Sequence, residues 1–283
     1  MRIIKDEQYV RDKYDKDSYQ FKSVANNNDL ILVRKDEIDN KIILWNCNLD
    51  LMIHSANLLG SDSKDFPPLL EKQKELYFLA IPSQLAKKIN TATFLRDLRG
   101  LIIDGGKLKL KENVVLNELL YLGIDGSISF KKENLPNLRT LSCKYEAGIV
   151  EELSKYELFD KLTLKSVNDN IFNSISNIRN LFGLQINKGR LNNIDNIVSI
   201  KSLQWLSLNN LPELSDLGEL VDINNLEHLQ IGYCKNVKKW DFLLDLKNLK
   251  TLWIPVSSNR ELPPQNIVNI LIERGVKGIS KGF

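Results

Sequence analysis

Few residues in this chain have the types and spacing that catalysis requires. The 283 residues include two histidines, His54 and His228, and three widely separated cysteines, Cys47, Cys143 and Cys234. The sequence contains no Cys-x-x-Cys pair, His-Glu-x-x-His motif, phosphate-binding loop, dinucleotide fingerprint or Gly-x-Ser-x-Gly elbow. Cys143 and Cys234 fall at apolar positions of a repeated pattern and are predicted to be buried. We therefore predict that the protein is not an enzyme and holds neither a metal nor another cofactor.

The large aromatic and charged side chains are better candidates, and the chemistry they offer is binding. Tryptophan and tyrosine bury a large area at a low cost in side-chain entropy, so they are enriched at protein interfaces. Lysines and carboxylates that segregate along a surface steer a partner with a complementary charge pattern. These side chains can act together only if the fold places them on one surface, and an internal repeat decides where they lie.

A pattern of the form Leu-x-x-Leu-x-(Ile/Leu) recurs nine times within residues 76–256. The copies follow one another at steps of 19 to 23 residues, and the fourth position is leucine in every copy. Scattered leucines do not produce so constant a spacing, so the pattern indicates a repeat architecture. The nine copies begin at Leu76, Leu98, Leu119, Leu138, Phe159, Leu181, Leu203, Leu226 and Leu249.

This pattern resembles the leucine-rich repeat family over residues 76–256. The resemblance implies an α/β solenoid in which each repeat contributes one short strand to a parallel, concave sheet. One repeat cannot bury its own apolar side, whereas stacked neighbours share a continuous core. Apolar residues spaced by three after several strands predict 3-10 turns or short helices on the convex side. No asparagine ladder occupies the family's ninth position here, so we expect a less regular array than a consensus one.

The segment before the repeats has a different pattern. Residues 1–75 do not match the repeat, and two apolar runs within 29–46 predict a β-hairpin. The first repeat would expose an apolar edge without a cover. We interpret residues 1–75 as an N-terminal cap or a small appended domain.

Residues 257–283 are predicted to form a helical cap at the C-terminal end. Pro263 and Pro264 can open a helix, and Gly275 can end it. The apolar face of this helix is predicted to comprise Ile267, Ile270 and Leu271.

Alternation along a strand predicts which side chains are presented to a partner. Positions 3, 5 and 7 of each repeat should point into the concave groove, and positions 4 and 6 into the core. Trp205 and Trp253 then flank His228, and Tyr233 lies just past its strand. Small residues at the central copies of position 5 should leave the floor of the groove open. The predicted partner-binding residues are Asp104, Tyr121, Asp125, Arg139, Lys144, Lys161, Lys165, Trp205, His228, Tyr233 and Trp253.

Composition indicates the setting in which such a groove would act. The 39 Lys and Arg residues nearly balance the 36 Asp and Glu residues, which argues against nucleic acid or a membrane as the partner. The sequence shows no secretory signal, no long apolar run and no disulfide framework, so we expect a cytoplasmic protein that acts as a monomer. The abundance of Asn, Ile and Lys favours a bacterial source.

These features predict a non-enzymatic module that binds a partner protein on the concave face. One task that fits is that of a bacterial immunity protein, which neutralises a toxin by covering its active site. The alternative is a host-directed effector or adhesin with the same fold. Nucleic-acid binding through lysines and aromatic side chains is a third possibility, which the balanced charge disfavours.

Overall fold

The computed structural model describes most of the repeat region and part of the rest of the chain. It divides into two compact units, Met1–Cys143 (unit 1) and Lys144–Phe283 (unit 2). Cys47 and His54 lie outside the described residues. The described residues are 2–4, 31–34, 43–46, 55–58, 64–66, 70, 76–168, 171–255 and 261–278.

Within the described residues of unit 1, four short strands precede the predicted repeats. The antiparallel pair β2–β3 lies where the sequence predicts a hairpin, with Val33 opposite Leu44. The fourth strand, β4, is antiparallel to β3 but parallel to the strand that follows it. The four strands are β1 (Arg2–Ile4), β2 (Ile31–Arg34), β3 (Ile43–Asn46) and β4 (Ser55–Asn57).

The repeat strands of unit 1 are parallel and in register. Leu79 lies opposite Leu101 and Leu101 opposite Leu122, so the fourth positions of successive repeats align. Two further strands, β7 and β9, form a separate parallel pair after the second and third repeat strands. The strands are β5 (Phe78–Pro82), β6 (Gly100–Asp104), β7 (Lys107–Lys109), β8 (Tyr121–Ile124), β9 (Ser127–Ser129) and β10 (Thr140–Lys144).

The part of unit 2 that the structure describes forms five parallel strands and four short α-helices. Leu162, Leu184, Leu206, Leu229 and Leu252 align across the five strands at the fourth position. The strands are β11 (Lys161–Asn168), β12 (Gly183–Arg190), β13 (Trp205–Asn209), β14 (His228–Gly232) and β15 (Thr251–Trp253). The helices are α1 (Ala147–Leu153), α2 (Ile171–Ile175), α3 (Phe242–Asp245) and α4 (Gln265–Glu273).

The return segment of each repeat is short and packs its apolar residues inward, as the spacing of three predicts. All twelve residues of this type that the sequence shows after β12, β13 and β14 are buried. They are Leu191, Ile194, Ile197, Ile200, Leu214, Leu217, Leu220, Ile223, Val237, Trp240, Leu243 and Leu246. The 3-10 helices are Ser83–Asn90, Thr93–Leu95, Lys132–Asn134, Ile197–Ser199 and Gly218–Asp222. One parallel strand per repeat, followed by a short turn or helix, confirms the leucine-rich repeat fold.

A ladder of side-chain hydrogen bonds joins successive repeats at the residue before the first position of five of the repeats. Asn248 Nδ2 donates to the Asn224 carbonyl at 2.6 Å, and Asn225 Nδ2 donates to the Lys201 carbonyl at 2.9 Å. In each case the acceptor lies two residues before the first leucine of the preceding repeat. Asn137, Asn180 and Ser202 make the equivalent bonds. The ladder satisfies carbonyls of the turns that precede the strands, which the strand hydrogen bonds do not reach.

The C-terminal segment packs against the last repeats. Helix α4 begins after Pro264, and Gly275 follows its end with φ +83°, as the sequence predicts. Its buried residues are Ile267, Val268 and Leu271. The prediction that Ile270 belongs to the apolar face is wrong: Ile270 is 40% exposed, because Val268 takes the inward position instead. Within the described residues no helix is both long and apolar enough to cross a bilayer.

Candidate functional site

The sheet face formed by positions 3, 5 and 7 of β11–β15, here called the outer face, carries the predicted site residues of unit 2. The parallel register places these positions in straight rows across the strands. The row of position 3 is Lys161, Gly183, Trp205, His228 and Thr251. The row of position 5 is Thr163, Gln185, Ser207, Gln230 and Trp253.

Lys161 and Trp205 contact each other across an intervening strand. The Lys161 ammonium lies 4.3 Å from the centroid of the Trp205 ring, which is a cation–π geometry. Gly183 lies between them, and a Cβ there would come within 3.1 Å of Lys161 Cγ and 3.4 Å of Trp205 Cε3. The glycine therefore allows two long side chains on non-adjacent strands to meet.

Burial lowers the pKa of Lys161 from 10.5 to about 8, and the nearby Asp160 carboxylate opposes this shift. Loss of hydration disfavours the charged amine. The negative face of the Trp205 ring and the Asp160 charge offset part of that loss. Together, these contacts restrain Trp205 on the outer face, so its ring is preorganised for a partner.

His228 lies beside Trp205 in the same row. Its Nδ1 lies 2.8 Å from Thr251 Oγ1, and its Nε2 lies 3.8 Å from Glu227 Oε2. The same Glu227 oxygen accepts a hydrogen bond of 2.7 Å from Lys250 Nζ. The contacts with Thr251 and Glu227 therefore orient the His228 ring on the outer face.

Polar side chains close the floor of the outer face. Asn209 Nδ2 donates to Ser207 Oγ at 2.6 Å, and Gln230 Nε2 donates to Asn209 Oδ1 at 3.3 Å. Thr163 Oγ1 donates to Gln185 Oε1 at 3.3 Å in the neighbouring strands. Ser207 and Asn209 are buried, so the prediction of an open floor at the central small residues is wrong. The amides of their neighbours fill the space that the small side chain leaves.

Trp253 and Tyr233 are the exposed aromatic residues of this region. Their exposed fractions are 46% and 47%, and Trp205 and His228 are half-buried. Tyr233 is the first residue after β14 and has a left-handed backbone, with φ +57°. These four residues share the C-terminal half of the outer face and its adjoining edge, as the sequence predicts.

The predicted site residues of unit 1 differ from each other in exposure. Asp104, Asp125 and Arg139 are exposed, as is Lys144 at the start of unit 2. Tyr121 is 2% exposed, so the prediction that it presents its ring to a partner is wrong. A Cβ at Gly123 would lie 2.7 Å from the Tyr121 hydroxyl oxygen, which shows that the ring lies along its own strand. Burial raises the pKa of Tyr121 well above its usual range.

The acidic residues Asp104 and Asp125 belong to unit 1, whereas Lys161 and Lys165 belong to unit 2. Lys165 is half-buried at position 7 of β11. An acidic-to-basic gradient along one groove stays a prediction, because its two ends lie in different units.

The described residues offer no metal cluster of three or more His, Cys, Asp or Glu side chains. Cys143 and Cys234 are fully buried, as their core positions predict. Burial raises the pKa of the Cys234 thiol to about 11, so the thiol stays protonated at neutral pH.

Sequence reasoning missed three residues at the edge of the outer face, namely Lys188, Arg190 and Lys235. All three are exposed where the chain leaves the carboxyl ends of β12 and β14. The signal was available, because they lie at positions 8 and 10 of their repeats. Alternation along a strand assigns only positions 3, 5 and 7 to this face, so it does not indicate positions 8 and 10.

Comparison with known proteins gives similarity at the level of solved structures. No protein-family model and no curated protein matches the chain. Among solved structures, an internalin from Listeria monocytogenes shares 16% identity over 80% of this chain and 79% of that chain, with a TM-score of 0.45. A leucine-rich repeat protein from Leptospira interrogans shares 18% identity over 78% of this chain and 65% of that chain, with a TM-score of 0.44. Similarities at this TM-score do not define a fold, so the assignment rests on the strand register of the chain itself.

Proposed function

We propose that the protein is a non-enzymatic binding module whose unit 2 contacts a partner protein through the outer face. The observation that carries the proposal is the placement of Trp205 and Trp253 on one sheet face, with Trp253 46% exposed. The exposed part of a tryptophan on a sheet face contributes nothing to folding, because that area stays in contact with water. The same area becomes favourable when a partner covers it.

The surroundings of the tryptophans also support binding. Lys161 restrains Trp205, and the amides of Gln185 and Gln230 lie half-exposed in the neighbouring row. Restrained aromatic side chains lose less entropy when a partner binds, and amides offer both donors and acceptors. The outer face therefore combines an apolar anchor with polar groups that specify orientation.

A finer proposal is that the partner is a toxin and that the protein acts as a bacterial immunity protein in the cytoplasm, as a monomer. Binding without catalysis, by covering an active site, requires only a restrained surface of this kind. Co-expression with the product of a neighbouring toxin-like gene should restore growth, and Trp205→Ala with Trp253→Ala should abolish that rescue. Growth arrest in the presence of the unaltered protein would contradict the immunity role.

The binding proposal is tested by capture of partners from a lysate of the source organism. The unaltered chain, the double variant Trp205→Ala with Trp253→Ala and the variant Leu158→Ala are compared as baits. Leu158 is a suitable control because it is 65% exposed and precedes β11, away from the outer face. We expect a protein that the unaltered chain and the Leu158 variant retain and that the double variant loses at least about tenfold, as for an aromatic hot spot.

The double variant must keep its fold for this result to be informative. Circular dichroism and the urea midpoint verify that both variants remain folded before capture. Retention of the same proteins by all three baits would contradict binding through the outer face.

A further inference from the structure

The carboxyl ends of four strands in unit 2 form an edge that carries positive charge without any negative charge. This edge, here called the carboxyl corner, consists of positions 7 to 10 of four repeats. Its cations are Lys165, Lys188, Arg190 and Lys235, and none of its residues is Asp or Glu. The carboxyl corner comprises residues 165–168, 187–190, 209–212 and 232–235.

The segregation of charge is a property of the corner and not of the whole unit. Carboxylates lie close to the opposite, amino ends of the strands, for example Asp160 before β11 and Glu227 before β14. Within the described residues, Lys188, Arg190 and Lys235 form no ion pair, and all three are exposed. Three exposed cations that form no ion pair with a described residue are complementary to an acidic surface.

The backbone of the corner is left-handed at position 8 of every repeat. The φ angles are +59° at Ser166, +65° at Lys188, +54° at Asn210 and +57° at Tyr233. In unit 1 the same position is left-handed in one repeat, at Gly105 with φ +85°. Glycine and asparagine adopt this conformation readily, whereas a tyrosine in it is strained.

Tyr233 thus occupies a position at which the same chain elsewhere uses a better-suited residue. Its side chain is 47% exposed, so packing does not offset the backbone strain. Strain that the fold does not need is typical of residues kept for contact with a ligand or partner. Lys188, Asn210 and Tyr233 follow one another on adjacent strands, at steps of about 4.8 Å.

We propose that the partner lays an acidic segment across the carboxyl corner, with its carboxylates at Lys188, Arg190 and Lys235 and an apolar side chain against Tyr233. This inference rests on the proposed function and specifies the chemistry of its partner. The distance from β12 to β14 is about 10 Å, which an extended segment covers in about three residues. An acidic residue and an apolar residue about three positions apart would therefore reach Lys188 and Tyr233 together.

The first experiment measures fluorescence anisotropy with three labelled probes of similar length. They are a 12-residue peptide made of four Glu-Glu-Leu repeats, the same peptide with Gln in place of Glu, and a 12-nucleotide oligo-dT. We expect the acidic peptide to bind at least about tenfold more tightly than the Gln peptide, with an affinity that falls as salt rises. Equal affinity for the two peptides, or tighter binding of oligo-dT than of the acidic peptide, would overturn the proposal.

Two charge-matched triple variants localise the binding. Lys188→Gln with Arg190→Gln and Lys235→Gln removes three cations from the corner, and we expect about a tenfold loss of affinity for the acidic peptide. Lys201→Gln with Lys239→Gln and Lys247→Gln removes three exposed cations from other parts of unit 2 and should change affinity less than about twofold. Equal losses in the two variants would mean that net charge alone attracts the peptide, and the corner would be excluded.

The strained tyrosine gives a second, independent result. Tyr233→Asn should raise the Tm by about 2–4 °C because asparagine tolerates the left-handed backbone, and it should weaken acidic-peptide binding at the same time. Ser166→Asn, at the equivalent position of β11, should raise the Tm without changing affinity. Unchanged peptide affinity in Tyr233→Asn would remove Tyr233 from the site.

These outcomes are separable from the test of the proposed function. If Trp205→Ala with Trp253→Ala abolishes partner capture while the corner variants capture as the unaltered chain does, the outer face is the site and the acidic-segment inference is wrong. If neither set of variants affects capture, both proposals are wrong.

Discussion

The two units place different residue types at position 8 of their repeats. Position 8 has a positive φ in four repeats of unit 2 and, at Gly105, in one repeat of unit 1. In unit 1 position 8 is glycine in two repeats, at Gly105 and Gly126, and a Cβ at Gly126 would overlap the Gly106 carbonyl oxygen. Unit 2 places Lys188 and Tyr233 at the same turn, and both side chains are exposed. The comparison shows that the turn does not require side chains, so those of unit 2 are available for another purpose.

The sheet faces of the two units also differ in how far their aromatic side chains are exposed. In unit 1 Tyr121 lies along its own strand over Gly123 and is buried. In unit 2 Trp205 is restrained by Lys161 across Gly183 and remains half-exposed. A glycine beside an aromatic residue therefore has two uses, one that buries the ring and one that leaves the ring available to a partner.

The largest expected effect comes from a substitution in the tight turn of unit 1. Gly126→Ala should lower the free energy of unfolding by about 3 kcal/mol, because the new Cβ meets backbone that cannot rotate away. Gly148→Ala is the control, since a Cβ there meets nothing within 4 Å and alanine favours the helix α1. Urea denaturation measures both variants, and equal stability of the two would show that unit 1 does not need its glycines.

A smaller effect concerns the buried amine of unit 2. The pKa of Lys161 is 10.5 when exposed and about 8 in the fold, so between these values the unfolded chain binds more protons. The free energy of unfolding should therefore rise with pH from 8 to 10.5, and be lowest, on account of this group, below pH 8. A shift of one pKa unit corresponds to about 1.4 kcal/mol. Because Lys161 keeps part of its hydration, we expect the free energy of unfolding to rise by about 2 kcal/mol between pH 8 and 10.5.

Lys161→Met tests this by keeping the length of the side chain without its charge. Urea titrations at several pH values should show a smaller rise between pH 8 and 10.5 in the variant than in the unaltered chain. The same rise in both proteins would mean that other groups cause it and that Lys161 is well hydrated.

The smallest effect concerns the hydrogen-bond ladder of unit 2. Asn248→Ala removes the donor to the Asn224 carbonyl and should cost about 1 kcal/mol. Asn224→Ala keeps that carbonyl, because the carbonyl belongs to the backbone, and should be nearly neutral. Chemical denaturation of the pair isolates the side-chain bond, and equal losses would deny the ladder a role in stability.

Much of the fold follows from the sequence because leucine spacing reports burial directly. The leucines at position 4 align strand to strand, and the convex residues with spacing of three, such as Leu214 and Leu217, are buried as predicted. The leucine pattern does not predict strand β4, because Ala56, which lies opposite Leu79, occupies the position where the pattern has leucine. The inter-repeat ladder also escaped, because Asn225 and Asn248 lie just before the repeat and not at its ninth position.

The site is harder to predict, because alternation gives the direction of a side chain but not what covers it. Trp253 is exposed as position 5 predicts, whereas Ser207 at the same position is buried under neighbouring amides. Tyr121 and Trp205 both occupy position 3, yet only Trp205 remains half-exposed. The difference depends on the neighbouring glycine and lysine, and therefore on contacts between strands that a single-sequence pattern does not contain.

We propose that a partner protein contacts the outer face of unit 2, and site-specific photo-crosslinking in the source cells is the measurement that decides this claim. A benzophenone amino acid is introduced in place of Trp253, Gln230 or, as the control, Leu158. We predict a discrete adduct of one partner mass from positions 253 and 230 and none from position 158. No adduct from either outer-face position, or the same adduct from position 158, would contradict the claim.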